Sequence, residues 1–141
     1  MGVDMGLSGI YSAPRSTEWC IMRTGQLLIN SICLIQHLNV CDSFLSRGVG
    51  LLGKSGLPEN TGIWLTPCRG VHTCFMRFEI DILYLDKAGM VLGLQTGVAP
   101  SRFPKAPKGT YSIVEVQSGW LDAEACQVGA ASAFTSHPPS A

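Results

Sequence analysis

The stretch that most constrains the fold is His72–Leu85, where side chains alternate with a period of two residues. The even positions are mostly apolar as far as Tyr84, whereas the first odd positions include Arg77, Glu79 and Asp81. This alternation is typical of a β-strand with one buried face. Because strands usually span about 3 to 10 residues, we expect a bend near Glu79 to Asp81. Beyond the bend both faces are apolar, which predicts a strand covered on both sides.

Further short β segments flank this stretch and are separated by turn residues. Residues 20–30 are interpreted as two β segments around a turn at Thr24-Gly25, because glycine supplies turn geometry. The segment Asp86–Gly89 is predicted as a hairpin turn. Other predicted strands cover residues 32–40, 63–67, 90–96 and 110–116, and the proline-containing residues 99–109 are predicted as a surface loop.

Helix is expected in only two places. Asp42 or Ser43 can cap a short helix that continues to Lys54, and residues 118–129 can hold one or two helical turns that stop at Gly129. Six or more short strands with so little helix predict a mainly β fold, a small sandwich or barrel. We expect one domain at residues 19–130, preceded by a disordered leader (1–18) and followed by a flexible tail (131–141).

Composition excludes several classes of protein. The chain has 141 residues, 46% hydrophobic and 14% charged, so the composition is not that of a disordered chain. Ten basic and ten acidic residues give zero net charge, and without a basic stripe a nucleic-acid partner is not expected. No apolar run reaches the roughly 18 residues of a membrane span. No secretory signal is seen, which favours a cytoplasmic location and reduced thiols for the six cysteines.

Three motifs in order carry a resemblance to a known family. The first is aromatic-x-x-Arg-x-x-Gly-Leu, the second His-Thr-x-Phe-Met, and the third Ile-Asp-Ile-x-Tyr-Leu-Asp. Their residues are Phe44, Arg47, Gly50 and Leu51, then His72 to Met76, then Ile80 to Asp86. Over roughly residues 40 to 130 the chain resembles the small bacterial domain of unknown function 192. The resemblance implies a mainly β sandwich with a jelly-roll-like course and short helices, and it implies no established reaction.

The polar residues of the alternating stretch form the candidate binding site. Arg77 and Asp81 are four residues apart on one predicted strand and therefore share a face. A carboxylate drawn into a β core must be paired or hydrogen-bonded, and the planar guanidinium of Arg77 suits such a pairing. The pair is interpreted as structural, with the floor of a ligand site as the alternative. With Arg47 nearby, the candidate binding cluster is Arg47, His72, Met76, Arg77 and Asp81.

The second cluster consists of Cys68, His72 and Cys74. Three such side chains within seven residues could hold zinc or copper, but their spacing matches no common pattern and a fourth ligand is missing. They are therefore weak metal candidates. A Cys–His nucleophile and a Cys68–Cys74 disulfide are further alternatives. The preferred interpretation is that Cys74 fills the core and His72 bonds to backbone.

A P-loop spelling also occurs, as Gly48-x4-Gly53-Lys54-Ser55. It is discounted, because it lies inside a predicted helix and not between a strand and a helix. No cofactor is expected. The sequence thus favours a non-catalytic module that binds an unknown peptide, protein or small ligand. The alternative is a metal- or thiol-dependent enzyme that uses His72, Cys68, Cys74 and Asp81.

Overall fold

A computed structural model describes residues 23–41, 59–74 and 76–136 of the chain. They contain seven β-strands in one sheet. The strands are β1 (Arg23–Ile29), β2 (Ile32–Cys41), β3 (Thr61–Leu65), β4 (Ile80–Leu85), β5 (Val91–Val98), β6 (Ser112–Gln117) and β7 (Ser132–Ser136). Their order across the sheet is β5-β4-β6-β3-β2-β1-β7. Only the β2–β3 pair is parallel, and the prediction of a mainly β fold is confirmed.

The sheet curls until its two edge strands meet at one point. An antiparallel bridge joins Met90 to Ala131. Beside it, Val91 N–H donates to Ala130 O (2.8 Å) and Gly129 N–H donates to Val91 O (2.9 Å). Because the bridge is antiparallel, β5 and β7 run away from it in opposite directions. Beyond the bridge and one further bond, from Ser132 N–H to Gly89 O (2.9 Å), the outer edge of each strand is therefore unpaired among the described residues.

Strand β4 is covered on both faces, as the sequence predicted. All six of its residues are buried. Leu83 and Leu85 belong to the inner core, which fills the concave side of the sheet, whereas Ile80, Ile82 and Tyr84 belong to the outer core on the other face. β4 therefore has no solvated face, which explains its almost uninterrupted apolar sequence.

Two loops cover the outer core and are called the cap below, which comprises the described residues 66–74, 76–79 and 99–111. Met76 (7% exposed) is buried in the outer core, and Val71, Phe78 and Ala106 pack against it. The loop at 99–109 was correctly predicted. Apolar contact with the sheet, and not a strand ladder, is the main attachment of these loops.

Thr73 joins the two halves of the cap. Its hydroxyl donates to Ala99 O (2.7 Å) and accepts from Arg102 N–H (2.7 Å). Its backbone N–H donates to Arg102 O (2.9 Å), and its carbonyl accepts from Ser101 N–H (2.9 Å). Thr73 is fully buried, so this one side chain holds two segments of the cap in register.

The predicted strand from His72 to the bend is wrong. Residues 71–74 and 76–79 form no strand, and β4 begins at Ile80. Burial does not follow the alternation, because His72 is exposed and Thr73 buried, whereas Met76 is buried and Arg77 exposed. A two-residue rhythm of apolar and polar letters therefore does not require a strand.

Gly25 makes no turn, contrary to the prediction. It lies inside β1, and the turn occurs at Asn30 and Ser31, whose φ values of 50° and 71° suit a two-residue hairpin. A Cβ at Gly25 would lie 2.3 Å from Thr135 O and 2.7 Å from the ring of Phe134. Glycine is required there because β7 approaches closely.

Four further expectations concern a hairpin turn, the C-terminal segment and two short helices. The Asp86–Gly89 hairpin turn is confirmed, with Gly89 N–H donating to Asp86 O (3.0 Å) and a φ of 90° at Gly89. The C-terminal segment was expected to be flexible from residue 131. Residues 132–136 instead form β7, because a ladder with β1 gives their backbone groups hydrogen-bond partners. Residues 122–126 make a single turn, in which Ala125 and Cys126 both donate to Asp122 O. The helix expected at residues 42–54 lies outside the described residues.

Replacing Gly25 with alanine should destabilise the fold by about 1–3 kcal/mol, the usual range for overpacking. The added methyl group would push Thr135 away and weaken the β1–β7 ladder. The urea midpoint of Gly25→Ala measures this loss. Gly70→Ala is the matched control, since a Cβ there meets nothing within 4 Å. Equal midpoints for the two variants would contradict the close-approach explanation.

Candidate functional site

Asp81 is buried (1% exposed) on the same face as Leu83. Its Oδ1 accepts a hydrogen bond from Gly97 N–H (2.9 Å) and its Oδ2 accepts one from Gly119 N–H (3.0 Å). Both glycines have positive φ, 62° and 101°, which side-chain-bearing residues rarely adopt. One carboxylate therefore ties β4 to a bulged part of β5 and to the turn after β6.

The predicted ion pair between Arg77 and Asp81 is wrong. Arg77 is exposed in the cap, and Asp81 takes its two hydrogen bonds from backbone amides. The residues do not share a strand, because β4 begins at Ile80. Backbone N–H groups can satisfy a buried carboxylate as fully as a cation does.

His72 and Cys74 are close but are not arranged for catalysis. His72 is exposed, and its Nδ1 accepts a hydrogen bond from Cys74 N–H (3.2 Å). The imidazole thus bonds to backbone, as expected. Cys68 Sγ donates to Gly70 O (3.2 Å), and among the described cysteines Cys68 and Cys74 form no disulfide. The described residues contain no group of three His, Cys, Asp or Glu side chains placed to hold a metal ion.

Cys126 is the buried thiol of the inner core (3% exposed). Burial raises the pKa of Cys126 to about 11, and the nearby carboxylates of Asp122 and Asp81 contribute to the increase. A thiol that is harder to ionise than usual is a poor nucleophile. Cys126 is therefore a core residue.

A second buried acid, Glu115, lies on the outer face of the sheet. It pairs across β6 with Ile63 on one side and Ile82 on the other, and it is 4% exposed. Burial raises the pKa of the Glu115 carboxyl to about 7. Sequence reasoning missed this residue, although a single acid inside the apolar run "SIVEV" was an available signal.

The phenol of Tyr84 is close to Glu115. Its hydroxyl donates to Oε1 of Gln95 on β5. Burial, and secondarily the negative charge of Glu115, raises the pKa of Tyr84 to about 12. The outer core therefore encloses three polar groups, a carboxyl, a phenol and an amide, in otherwise apolar surroundings.

The outer edge of β5 is one of the two outer edges of the described sheet. Beyond Val91 no described residue donates to or accepts from its outward backbone groups, apart from the Gly97–Asp81 bond. The strand contains neither a charged residue nor a proline. Three large apolar side chains are exposed nearby. Met90 (36% exposed) forms the bridge, Val128 (74%) precedes it in the chain on the other side, and Phe103 (77%) follows β5 in the chain.

The cap is basic although the whole chain is neutral. Half of the ten Lys and Arg residues lie in it, all of them exposed, against one of the ten acids, Glu79. The five cations are Arg69, Arg77, Arg102, Lys105 and Lys108. Exposed Phe103 lies among them, 6.0 Å from the ring of His72. The proposed cluster residue Arg47 and the P-loop spelling lie outside the described residues.

Comparison with known proteins shows similarity to uncharacterised ones. The DUF192 family model, described as "Uncharacterized ACR", matches residues 29–134. A Novosphingobium aromaticivorans DSM 12444 protein of unknown function has a similar structure, with a TM-score of 0.64 at 13% identity over 78% of this chain and 84% of its own. A Sinorhizobium meliloti 1021 protein, described as a proposed transcription regulator, aligns with a TM-score of 0.56 at 12% identity, over 70% and 81% of the two chains. At these identities the two likenesses bear on the fold alone. No curated protein sequence matches. No helix in the described part of the chain is long and apolar enough to cross a membrane.

Replacing Asp81 with alanine should lower the free energy of unfolding by about 2–4 kcal/mol, because two buried N–H groups lose their acceptor. Chemical denaturation measures the loss. Glu79→Ala, which removes a neighbouring exposed acid, is the control and should change stability little. An unchanged midpoint for Asp81→Ala would show that the two hydrogen bonds are dispensable.

Because the pKa of Glu115 is raised in the folded protein, the free energy of unfolding should fall as pH rises. Below about pH 4.5 both folded and unfolded chains are protonated at this residue. Above that value the unfolded chain ionises while the folded chain keeps its proton until about pH 7, so stability is lost across this interval and then levels off. Glu115→Gln cannot ionise and should remove this dependence, a difference of about 3 kcal/mol between pH 4 and pH 8. Urea titrations of the unmodified protein and of Glu115→Gln at the two pH values test this. Equal changes of the free energy of unfolding in the two proteins would contradict the prediction.

Proposed function

This chain belongs to the uncharacterised DUF192 family, and from that premise we propose that it is a non-catalytic module. Its ligand is an extended acidic segment of another protein, which adds as a strand along the outer edge of β5. The observation that carries the proposal is the open, uncharged backbone edge beyond Val91.

Natural sheets usually protect an edge with charges, prolines or very short strands. β7 is short, with five residues, and two prolines follow soon after it, at 138 and 139. β5 has eight residues, no charged residue and no proline, although its register with β4 is irregular at two places, between Val91 and Gly93 and between Gln95 and Val98. The accessible part is therefore residues 92–96, about 17 Å of strand. Main-chain hydrogen bonds along such an edge are a common mode of peptide recognition.

Two features of the surroundings support a particular kind of segment. Met90 and Val128 are exposed on either side of the bridge at which the β5 edge begins, and they offer apolar contact to a side chain of the added strand. The other end of β5 leads directly into the cap loop with Arg102, Lys105 and Lys108. Carboxylates on the added segment would meet these cations, and electrostatic complementarity sets partner choice.

The catalytic alternative has less support. His72 Nδ1 is already engaged by a backbone amide, and the buried thiol of Cys126 has a raised pKa. Five dispersed cations in a neutral chain also suit a short acidic segment better than the dense phosphates of nucleic acid.

The test uses a dye-labelled ten-residue peptide of alternating valine and glutamate, and fluorescence anisotropy as the readout. Val128→Asp should weaken its binding by about tenfold, or about 1.4 kcal/mol. Thr24→Asp is the control, because Thr24 is also exposed but lies at the end of β1 that is farther from the hairpin and the bridge. The peptide should also slow amide exchange at residues 92–96.

Three results would overturn the proposal. Equal effects of the two aspartate variants would show that the peptide does not bind near β5. Tighter binding of a single-stranded DNA of the same length would indicate a nucleic-acid surface. Protection of residues 92–96 that grows with protein concentration, without peptide, would show that a second copy of the chain occupies the edge.

A further inference from the structure

The cap presents a phenyl ring to solvent. Phe103 is 77% exposed, the highest value among the exposed large apolar side chains of the described residues. Prolines follow it at 104 and 107. A residue before proline is held in extended backbone, in which successive side chains point to opposite sides. Accordingly Phe103 and Lys105 are exposed, whereas Ala106 packs against the outer core. The backbone therefore holds the ring away from the protein.

The other loop of the cap lies beside this ring and adds positive charge. The ring of His72 is 6.0 Å from the ring of Phe103, and backbone hydrogen bonds join its loop to Arg102. Arg69 and Arg77 lie three and five residues from His72 in the chain. The two loops together carry five exposed cations and one acid. Positive charge from both loops therefore accompanies the exposed ring.

Val128 shows that an exposed apolar side chain of this protein does not always have charged surroundings. It is 74% exposed, but residues 125–136 contain no charged residue. Phe103 combines apolar exposure with neighbouring cations. A purely apolar partner would need no cations, and a simple anion would need no phenyl ring. A bilayer with anionic phospholipids offers negative headgroups above hydrocarbon, and so matches both features.

We propose that the cap docks on the surface of a bilayer that contains anionic phospholipids. The ring of Phe103 inserts among the acyl chains, and the cap cations lie at the level of the headgroups. A single apolar anchor binds a membrane weakly and needs a basic patch as a second signal. The docking goes beyond the proposed function and does not rest on it, although both use the cations of residues 99–111. Peptide addition uses the outer edge of β5 and Val128, whereas docking uses Phe103.

The geometry of the cap suits a bilayer better than a single-stranded nucleic acid. Proteins that bind single strands stack successive bases on aromatic faces. The rings of Phe103 and His72 are tilted by 48° to each other, so they do not present two parallel faces. A lone phenyl ring without a polar atom is instead suited to hydrocarbon.

Cosedimentation of the full chain with vesicles tests the docking. One kind of vesicle contains phosphatidylcholine alone, and the other also contains about one-third phosphatidylserine. The chain should bind the second kind and not the first. Salt at about 1 M, which shortens the Debye length to about 3 Å, should release it. These measurements use the unmodified protein and need no variant to fold.

Substitutions test the insertion of the ring. Phe103→Ala should weaken binding to the phosphatidylserine vesicles by about tenfold, because the burial of a phenyl ring is lost. Val128→Ala is the matched control, of similar exposure without neighbouring charge, and should bind like the unmodified protein. Lys105→Gln should weaken binding by about fivefold. Phe103→Trp should keep binding, and phospholipids brominated on their acyl chains should quench its fluorescence more than that of the unmodified protein.

Several outcomes would overturn the docking. Equal binding to the two kinds of vesicle would exclude recognition of anionic lipid. Equal losses in Phe103→Ala and Val128→Ala, or bromine quenching that Phe103→Trp does not increase, would show that the ring is not inserted. Tighter binding of a single-stranded oligonucleotide than of the vesicles would assign the cations to nucleic acid.

Failure of the docking is distinguishable from failure of the proposed function. Phe103→Ala should leave the peptide anisotropy unchanged, whereas Val128→Asp should leave vesicle binding unchanged. A loss of both kinds of binding in Phe103→Ala would contradict the separation of the two surfaces and overturn the docking as stated. The urea midpoint of Phe103→Ala should equal that of the unmodified protein, since the ring is exposed.

Discussion

The hydrogen bonds of one carboxylate hold together the parts of the sheet that carry every surface of interest. Asp81 accepts from Gly97 and Gly119, and so joins β4 to the bulge of β5 and to the turn after β6. The bulge marks one end of the open edge, and the turn follows the strand that carries Glu115. The anchor helps to hold both features, because removing it would leave two backbone N–H groups without their acceptor.

Sequence alone predicted the mainly β class, the hairpin after β4 and a strand buried on both faces. These features depend on local signals, namely apolar runs and turn residues. It misplaced the strand before Ile80, because the apolar and polar letters alternate there although burial does not follow that alternation. It also misassigned Gly25 and β7, since both depend on an approach between segments that are more than a hundred residues apart. No local pattern contains that information.

The candidate site was predictable only in part. Asp81 was correctly recognised as a residue that needs partners. Its partners are main-chain N–H groups, which every residue except proline has, so the sequence does not identify them. Glu115 was not singled out, because an acid in a strand is ordinarily solvated and only the topology shows that β6 is central. The two acids lie on opposite faces of adjacent strands, and burial removes water from both. Asp81 accepts two backbone hydrogen bonds, whereas the described residues donate none to the Glu115 carboxyl.

The pairing of β1 with β7 has a consequence for how the chain acquires its shape during synthesis. β1 is among the first strands to leave the ribosome and β7 is the last of the seven, yet Ile29 lies opposite Ser132. Until the final strand emerges, β1 has only the hairpin with β2 on one side. Contacts of such long sequence separation form slowly. Until they form, β1 exposes backbone N–H and C=O groups that have no hydrogen-bond partner in the protein. The nascent chain is therefore most prone to aggregation in the interval before β7 emerges.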